Sequence, residues 1–178
     1  MDFIFGVACA VLLAIERLTY WYAWTRPERF AARMRRFLGR RRADPVVVLK
    51  TLFFGFKAIQ LGVLLGWCIW FSGNWIPWPT APVSIIIAGV FLIAIGQVLN
   101  FSVMLRLGTE GVFYGNRFGR DVAWQTGFPF SLVAHPQYLG ALLSVWGFML
   151  AMRYPNADWS VLPLISTLYY ALGARLER

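Results

Sequence analysis

Residues 82–105 read PVSIIIAGVFLIAIGQVLNFSVML, from Pro82 to Leu105, without one charged side chain. About 20 consecutive apolar residues carry a helix across the hydrocarbon of a bilayer, so this stretch predicts a spanning helix. Upstream, Val46 to Phe71 is nearly as apolar, with only Lys50 and Lys57 in it, and predicts a second span. A run from about Phe3 to Trp24 is broken by Glu16 and Arg17 and closes on Tyr20, Trp21, Tyr22 and Trp24. It is expected to cross, or to lie tilted near the interface. Two shorter runs, Tyr138 to Met152 and Ser160 to Ala174, read as a hairpin that crosses and returns, or as a hairpin whose first arm is only partly embedded. The expected fold is all-α: a polytopic membrane protein with four to five membrane-embedded helices in one domain, residues 1–178.

Composition agrees. Hydrophobic residues make up 59% of the 178 and charged residues 14%, where a soluble domain has roughly 45–50% and about 25%. Lipid must solvate the excess. Cys9 and Cys68 lie inside apolar runs and read as small buried hydrophobes rather than a disulfide pair. Asp2 stands before the first run where a signal peptide would carry basic residues, so that run is expected to remain as a membrane segment.

The net charge of +9 is concentrated. Arg26 to Arg42 holds eight arginines against the single acid Glu28. Phe30, Met34, Phe37 and Leu38 are interleaved at helical spacing, which predicts a basic amphipathic helix lying on the membrane. Such a helix sets topology by the positive-inside rule and attracts anionic lipid. Nucleic-acid binding is not expected, because these arginines are tied to a membrane-bound stretch. The loop from Ser72 to Pro82 is uncharged, with Trp75, Trp78 and three prolines, and belongs on the opposite side. Parity then returns Arg106–Gln137 and the tail residues Arg175, Glu177 and Arg178 to the cytoplasmic side, in an endoplasmic-reticulum-type or bacterial inner membrane.

The residues able to do chemistry cluster between Gly96 and Tyr138. Gln97 and Asn100 sit three apart on one face of an apolar span, which suits either helix–helix hydrogen bonding or a ligand. Gly108, Gly111, Gly115 and Gly119 suit a loop folding over a nucleoside, or tight helix packing. Asn116, Arg117 and Arg120 add donors for a carboxylate or phosphate. His135 is the lone histidine, and without a second histidine or a cysteine cluster no metal site is expected. Glu177 is an acid just past an apolar run, a solvated tail residue unless something recruits it.

Leu107 to Gly119, Phe128-Pro129-Phe130 and Pro136-Gln137-Tyr138-Leu139-Gly140 resemble the phospholipid methyltransferase family. The likeness is closest to its plant-type phosphatidyl-N-methylethanolamine N-methyltransferases, within a superfamily that includes isoprenylcysteine carboxyl methyltransferases. Gly96-Gln97 with Asn100-Phe101, then Tyr114-Gly115 with Arg117-Phe118-Gly119, form the specific set. The resemblance implies a helical membrane enzyme that takes S-adenosylmethionine from the cytosol, releases S-adenosylhomocysteine, and takes its phospholipid substrate from the bilayer. The family's glycine-x-glycine cofactor motif falls on Ala94-Ile95-Gly96, with alanine in the first place, and its acidic pair falls on Leu176-Glu177, leaving one acid.

On that resemblance the expected cofactor contacts are Gly96, Gln97, Asn100, Gly108, Gly111, Tyr114, Gly115, His135, Pro136, Tyr138 and Glu177. The expected catalytic set is His135, Tyr138 and Glu110, with Asp121 a further proton acceptor. Arg106, Arg117 and Arg120 are expected at the lipid phosphate, and Tyr114, Trp124, Phe128 and Tyr138 around the methylated ammonium by cation–π attraction. The lipid would enter between the Pro82–Leu105 and Tyr138–Met152 helices. The reaction expected is N-methylation of mono- and dimethyl-phosphatidylethanolamine toward phosphatidylcholine. The rivals are a methyltransferase for another lipid or an isoprenylated carboxylate, and a non-catalytic lipid-binding scaffold.

Overall fold

The computed structural model describes residues 2–39 and 43–177. Arg40, Arg41, Arg42 and Arg178, parts of the basic stretch and of the tail read above, lie outside the described residues. The helices are α1 (Asp2–Thr25), α2 (Pro27–Leu38), α3 (Pro45–Ser72), α4 (Val83–Val112), α5 (Pro136–Arg153) and α6 (Val161–Leu176), with a 3-10 turn at Gly115–Phe118. No strand occurs among the described residues, and the chain is a polytopic all-α membrane protein.

Helix ends have local causes. Pro27 opens α2 in the first turn, where its missing N–H is not needed. Asp44 caps α3, its carboxylate accepting from the Val46 N–H at 3.0 Å, and Pro45 follows at the start of the helix. Within α2, Phe30 is buried and Met34 half-buried, while Phe37 and Leu38 are exposed. That is the pattern of a helix lying on a surface.

α1, α3, α4, α5 and α6 alternate in direction, and α1 packs on both α3 and α6, so the helices close into a bundle. At one face Trp67 Nε1 donates to Asp158 at 2.9 Å, Trp70 Nε1 to Asp2 at 3.1 Å, and the Thr80 hydroxyl to the Tyr154 carbonyl at 2.9 Å. At the other face α2 packs on α1, α3 and the 3-10 turn, and Arg117 Nη2 donates to the Trp24 carbonyl at 2.9 Å. The two faces sort as parity required. α1, α3 and α4 continued to Phe118 are long and apolar enough to cross unaided, and α6 is a shorter apolar helix. Val11, Leu18, Val90 and Val98 stay exposed on their outer faces, the surface that lipid covers. Cys9 and Cys68 are buried free thiols.

Two findings differ from expectation. The stretch after Leu105 is not a loop: α4 runs on to Val112, interrupted at Gly108, whose φ of 61° and ψ of −172° leave the helical region. The helix resumes because Val112 and Phe113 are buried against Tyr20, Phe30 and Leu49, and that burial outweighs the weak helix preference of the glycines. The seam between α4 and α5 is also closed. Gly89 and Gly96 face Gly147 and Gly140, and a Cβ on Gly140 would lie 2.6 Å from the Gly96 carbonyl oxygen. Gln97 Nε2 donates across this seam to Ser144 Oγ at 2.9 Å. Lipid entry cannot run there.

Two apolar clusters hold the bundle together. One, at the α2 face, gathers Tyr20, Phe30, Leu49, Val103 and Phe113. The other, toward the far face, gathers Cys9, Trp67, Val145, Met149 and Leu162.

Two outcomes follow. Gly140→Val should force α4 and α5 apart and cost at least the ~1–3 kcal/mol of an overpacked core, read as a lower unfolding temperature in detergent. Gly62→Val, where a Cβ meets nothing within 4 Å, is the control. Separately, burial works to raise the Asp158 carboxyl, but hydrogen bonds from Arg153 and Trp67 outweigh it and hold the group below the ordinary aspartate range. Its stabilisation is complete above the unfolded aspartate value of about 3.9 and is lost as pH falls through the lower folded value. The acid-side loss of thermal stability should be smaller in Asp158→Asn than in the wild type.

Candidate functional site

Three helix ends meet at the α2 face. Tyr114 lies just past Phe113, the cap of α4, in the left-handed region at φ 59°. Tyr138 lies in the first turn of α5, and Glu177 caps the end of α6. The Glu177 carboxylate accepts from the Tyr114 hydroxyl at 2.9 Å and, through its other oxygen, from the Tyr138 hydroxyl. A tyrosine in this backbone region carries strain of roughly 1–3 kcal/mol, which surrounding contacts must over-determine. Here the carboxylate bond is joined by ring contacts to Tyr20 and Trp24, centroids 5.6 and 5.2 Å away. His135 stacks on Tyr138 with centroids 5.5 Å apart and planes 18° apart.

A second polar group lies deeper. Glu16 and Arg17 of α1 and Lys57 of α3 interrupt apolar helices, and they find one another: Arg17 Nη2 is 2.6 Å and Lys57 Nζ 3.2 Å from Glu16 Oε1. Lys57 also donates to Gln60 Oε1 at 3.1 Å. The Arg17 guanidinium lies over the Tyr170, Tyr138 and Tyr20 rings at 4.2, 5.0 and 5.2 Å. Each such cation–π contact contributes about 0.5–2 kcal/mol. In the sequence Glu16, Arg17 and Lys57 stand out only as breaks in apolar runs. The signal was there: ionisable residues at membrane depth face a partner or a cavity.

Both groups open into one cavity of about 800 Å³. This is within the ~300–1,000 Å³ of small-molecule sites. Gln97, Asn100, Gly111, Tyr114, His135, Pro136, Tyr138 and Glu177 line it, as do the unexpected Arg17, Lys57 and Tyr170. Phe54, Leu61 and Phe101 line it while remaining 61%, 53% and 65% exposed. These three come from the facing sides of α3 and α4, which scarcely touch, so the cavity opens sideways between those helices.

Other expected residues lie elsewhere. Gly96 is spent on the α4–α5 seam, and Gly108 and Gly115 shape the backbone without reaching the cavity. Glu110 is 3.3 Å from Arg120, which also binds Asp44, and this ion-paired patch is outside the cavity. Asp121 is exposed and does not line it either. Arg117 is held by the Trp24 carbonyl and ring, and Arg106 is exposed. Trp124 is 91% exposed and Phe128 41%, so neither forms a cage around a buried ammonium. Sequence proximity had grouped these residues, but the extension of α4 and the turn at Gly115–Phe118 direct them to the surface.

Comparison with known proteins identifies the family. The family model described as phospholipid methyltransferase matches residues 84–178. A phosphatidyl-N-methylethanolamine N-methyltransferase of Arabidopsis thaliana is 33% identical over 144 residues, 79% of this chain and 76% of the relative. Proteins of the same name from Saccharomyces cerevisiae and Emericella nidulans are 43% and 41% identical over 68 and 71 residues. Those two matches cover 38% and 39% of this chain and 33% and 35% of the relatives. No solved structure matches. The matched region begins at the start of α4 and contains Tyr114, Tyr138 and Glu177, and the chain belongs to the phospholipid methyltransferase family.

Proposed function

We propose that this protein transfers a methyl group from S-adenosylmethionine to the amine of mono- and dimethyl-phosphatidylethanolamine, on the way to phosphatidylcholine. The observation that carries the reading is the cavity itself. A carboxylate held by two tyrosines stands at its membrane-face end, and an apolar opening to the bilayer lies between α3 and α4. A water-soluble donor and a lipid acceptor need those two entrances. The family membership and the names of the plant and fungal relatives support the same chemistry.

The donor set fits the cofactor. Glu177 offers a carboxylate to ribose hydroxyls or to the methionine amino group, while Gln97, Asn100, Gly111, His135 and Pro136 supply small and polar walls. S-adenosylmethionine, when bound, supplies an electrophilic methyl on a sulfonium sulfur. The protein's own residues do the rest. They hold the acceptor amine in line, which can supply several kcal/mol of the barrier, and they exclude water behind Phe53, Phe130 and Phe148.

The acceptor nitrogen must lose a proton. Of the expected acceptors, His135 and Tyr138 face the cavity, whereas Glu110 and Asp121 do not, so the proton is assigned to His135 or to water held between it and the tyrosines. By the positive-inside rule the α2 face is cytoplasmic, in an endoplasmic-reticulum-type or bacterial inner membrane. The arginines of α2 bind anionic lipid there.

With purified protein and labelled S-adenosylmethionine, label should enter mono- and dimethyl-phosphatidylethanolamine. Label in no lipid would end this assignment. Glu177→Gln should weaken S-adenosylhomocysteine binding by roughly tenfold to hundredfold, the equivalent of losing a ~1.5–3 kcal/mol charged hydrogen bond. Unchanged affinity by calorimetry would clear Glu177 of that role. Arg117→Ala, lying outside the cavity, should leave the lipid KM within about twofold, and a tenfold rise would return the phosphate to the surface arginines.

A further inference from the structure

We infer that Arg17, with Lys57 beside it, seats the phosphodiester of the lipid acceptor inside the membrane. The inference rests on the methyl-transfer reading and deepens it. Arg17 Nη2 is bound to Glu16, but Nε and Nη1 are buried without any hydrogen-bond partner among the described residues. A buried donor left unmade costs about 1–3 kcal/mol, and more when charged, so folded proteins rarely leave two on one side chain. Arg17 lines the cavity, where an anionic oxygen would complete it.

Charge points the same way. Glu16 alone faces two cations, Arg17 and Lys57, leaving one positive charge in excess at membrane depth. Glu177 does not offset it at close range: its oxygens are taken by Tyr114 and Tyr138, and no ion pair joins it to either cation among the described residues. A monoanion would neutralise the excess, and a phosphodiester is one. Among the described residues no other lysine or arginine lines the cavity.

Placement distinguishes the lipid from the methionine carboxylate of the donor, the other available anion. Arg17 and Lys57 are on α1 and α3, outside the residues 84–178 that the family model matches, whereas Glu177, His135 and Tyr138 are within them. Lys57 is one turn from Phe53, Phe54 and Leu61, at the opening to the bilayer. A phosphate there leaves its acyl chains between α3 and α4 and its amine directed toward the Tyr114–Tyr138–Glu177 end. Arg17 lies eight residues inside the Thr25 end of α1, about 12 Å at 1.5 Å per residue, so the headgroup is drawn below the membrane face.

The test compares two acceptors with identical chains and N-methylethanolamine head: the natural phosphodiester and its neutral methyl phosphotriester. In nanodiscs, wild-type protein should prefer the diester at least tenfold in kcat/KM. Arg17→Gln should erase that preference, raising the lipid KM at least tenfold while leaving the KM for S-adenosylmethionine within about twofold, and Arg17→Lys should restore part of it. A wild type indifferent to the two acceptors overturns the assignment with no variant needed. So does an Arg17→Gln that still discriminates, or one whose defect is confined to S-adenosylmethionine, which would move the anion site to the donor carboxylate. If the wild type methylates neither acceptor, the methyl-transfer reading fails. Binding of short-chain phosphatidylcholine, followed by tryptophan fluorescence, then decides the site: dependence on Arg17 upholds the phosphate seat, and independence removes it.

Discussion

One carboxylate, accepting from two tyrosine hydroxyls, joins the ends of α4, α5 and α6 at the membrane face. Few other contacts could do this where apolar helices gain nothing by burying apolar surface against one another instead of against lipid. In such surroundings association depends on close backbone approach and on polar bonds between helices. The chain uses the first at Gly96–Gly140 and Gly89–Gly147, and the second at Glu177. The tyrosine held at φ 59° is tolerated because Glu177, Tyr20 and Trp24 all hold it in place.

The same logic governs the deeper charges. Taking an ion out of water costs several kcal/mol even after relaxation, and a pair recovers this only with good geometry and satisfied remaining donors. Glu16, Arg17 and Lys57 meet the first condition through short contacts and the stack of tyrosine rings. The second is unmet at two Arg17 nitrogens. The unmet condition sits on the cavity wall, so the least satisfied point of the buried polar network is also the point that a ligand can reach.

Much of this was legible in the residues. Apolar run length alone placed α1, α3, α4 and the α5–α6 hairpin, and the arginine-rich stretch placed α2, because hydropathy and charge act locally. The meeting of Tyr114, Tyr138 and Glu177 followed from counting crossings together with the family resemblance. What did not read through was tertiary. The glycines after Leu105 read as a loop, yet burial of Val112 and Phe113 keeps the chain helical. Arg117, Arg120 and Trp124 are near the site in sequence and turn outward in space. Arg17 and Lys57, far from the motif in sequence, turn inward, and only the packing of α1 and α3 against α5 and α6 reveals it.

A double-chained molecule that enters through the gap between α3 and α4, the α4–α5 seam being closed, meets an opening that faces hydrocarbon rather than water. Encounters are then counted in two dimensions, by the molecule's share of the surrounding leaflet rather than by any bulk concentration. A singly modified headgroup released through this opening remains beside it in the plane of the membrane. Re-entry therefore competes with lateral escape, and successive turnovers on one molecule become a question of local diffusion.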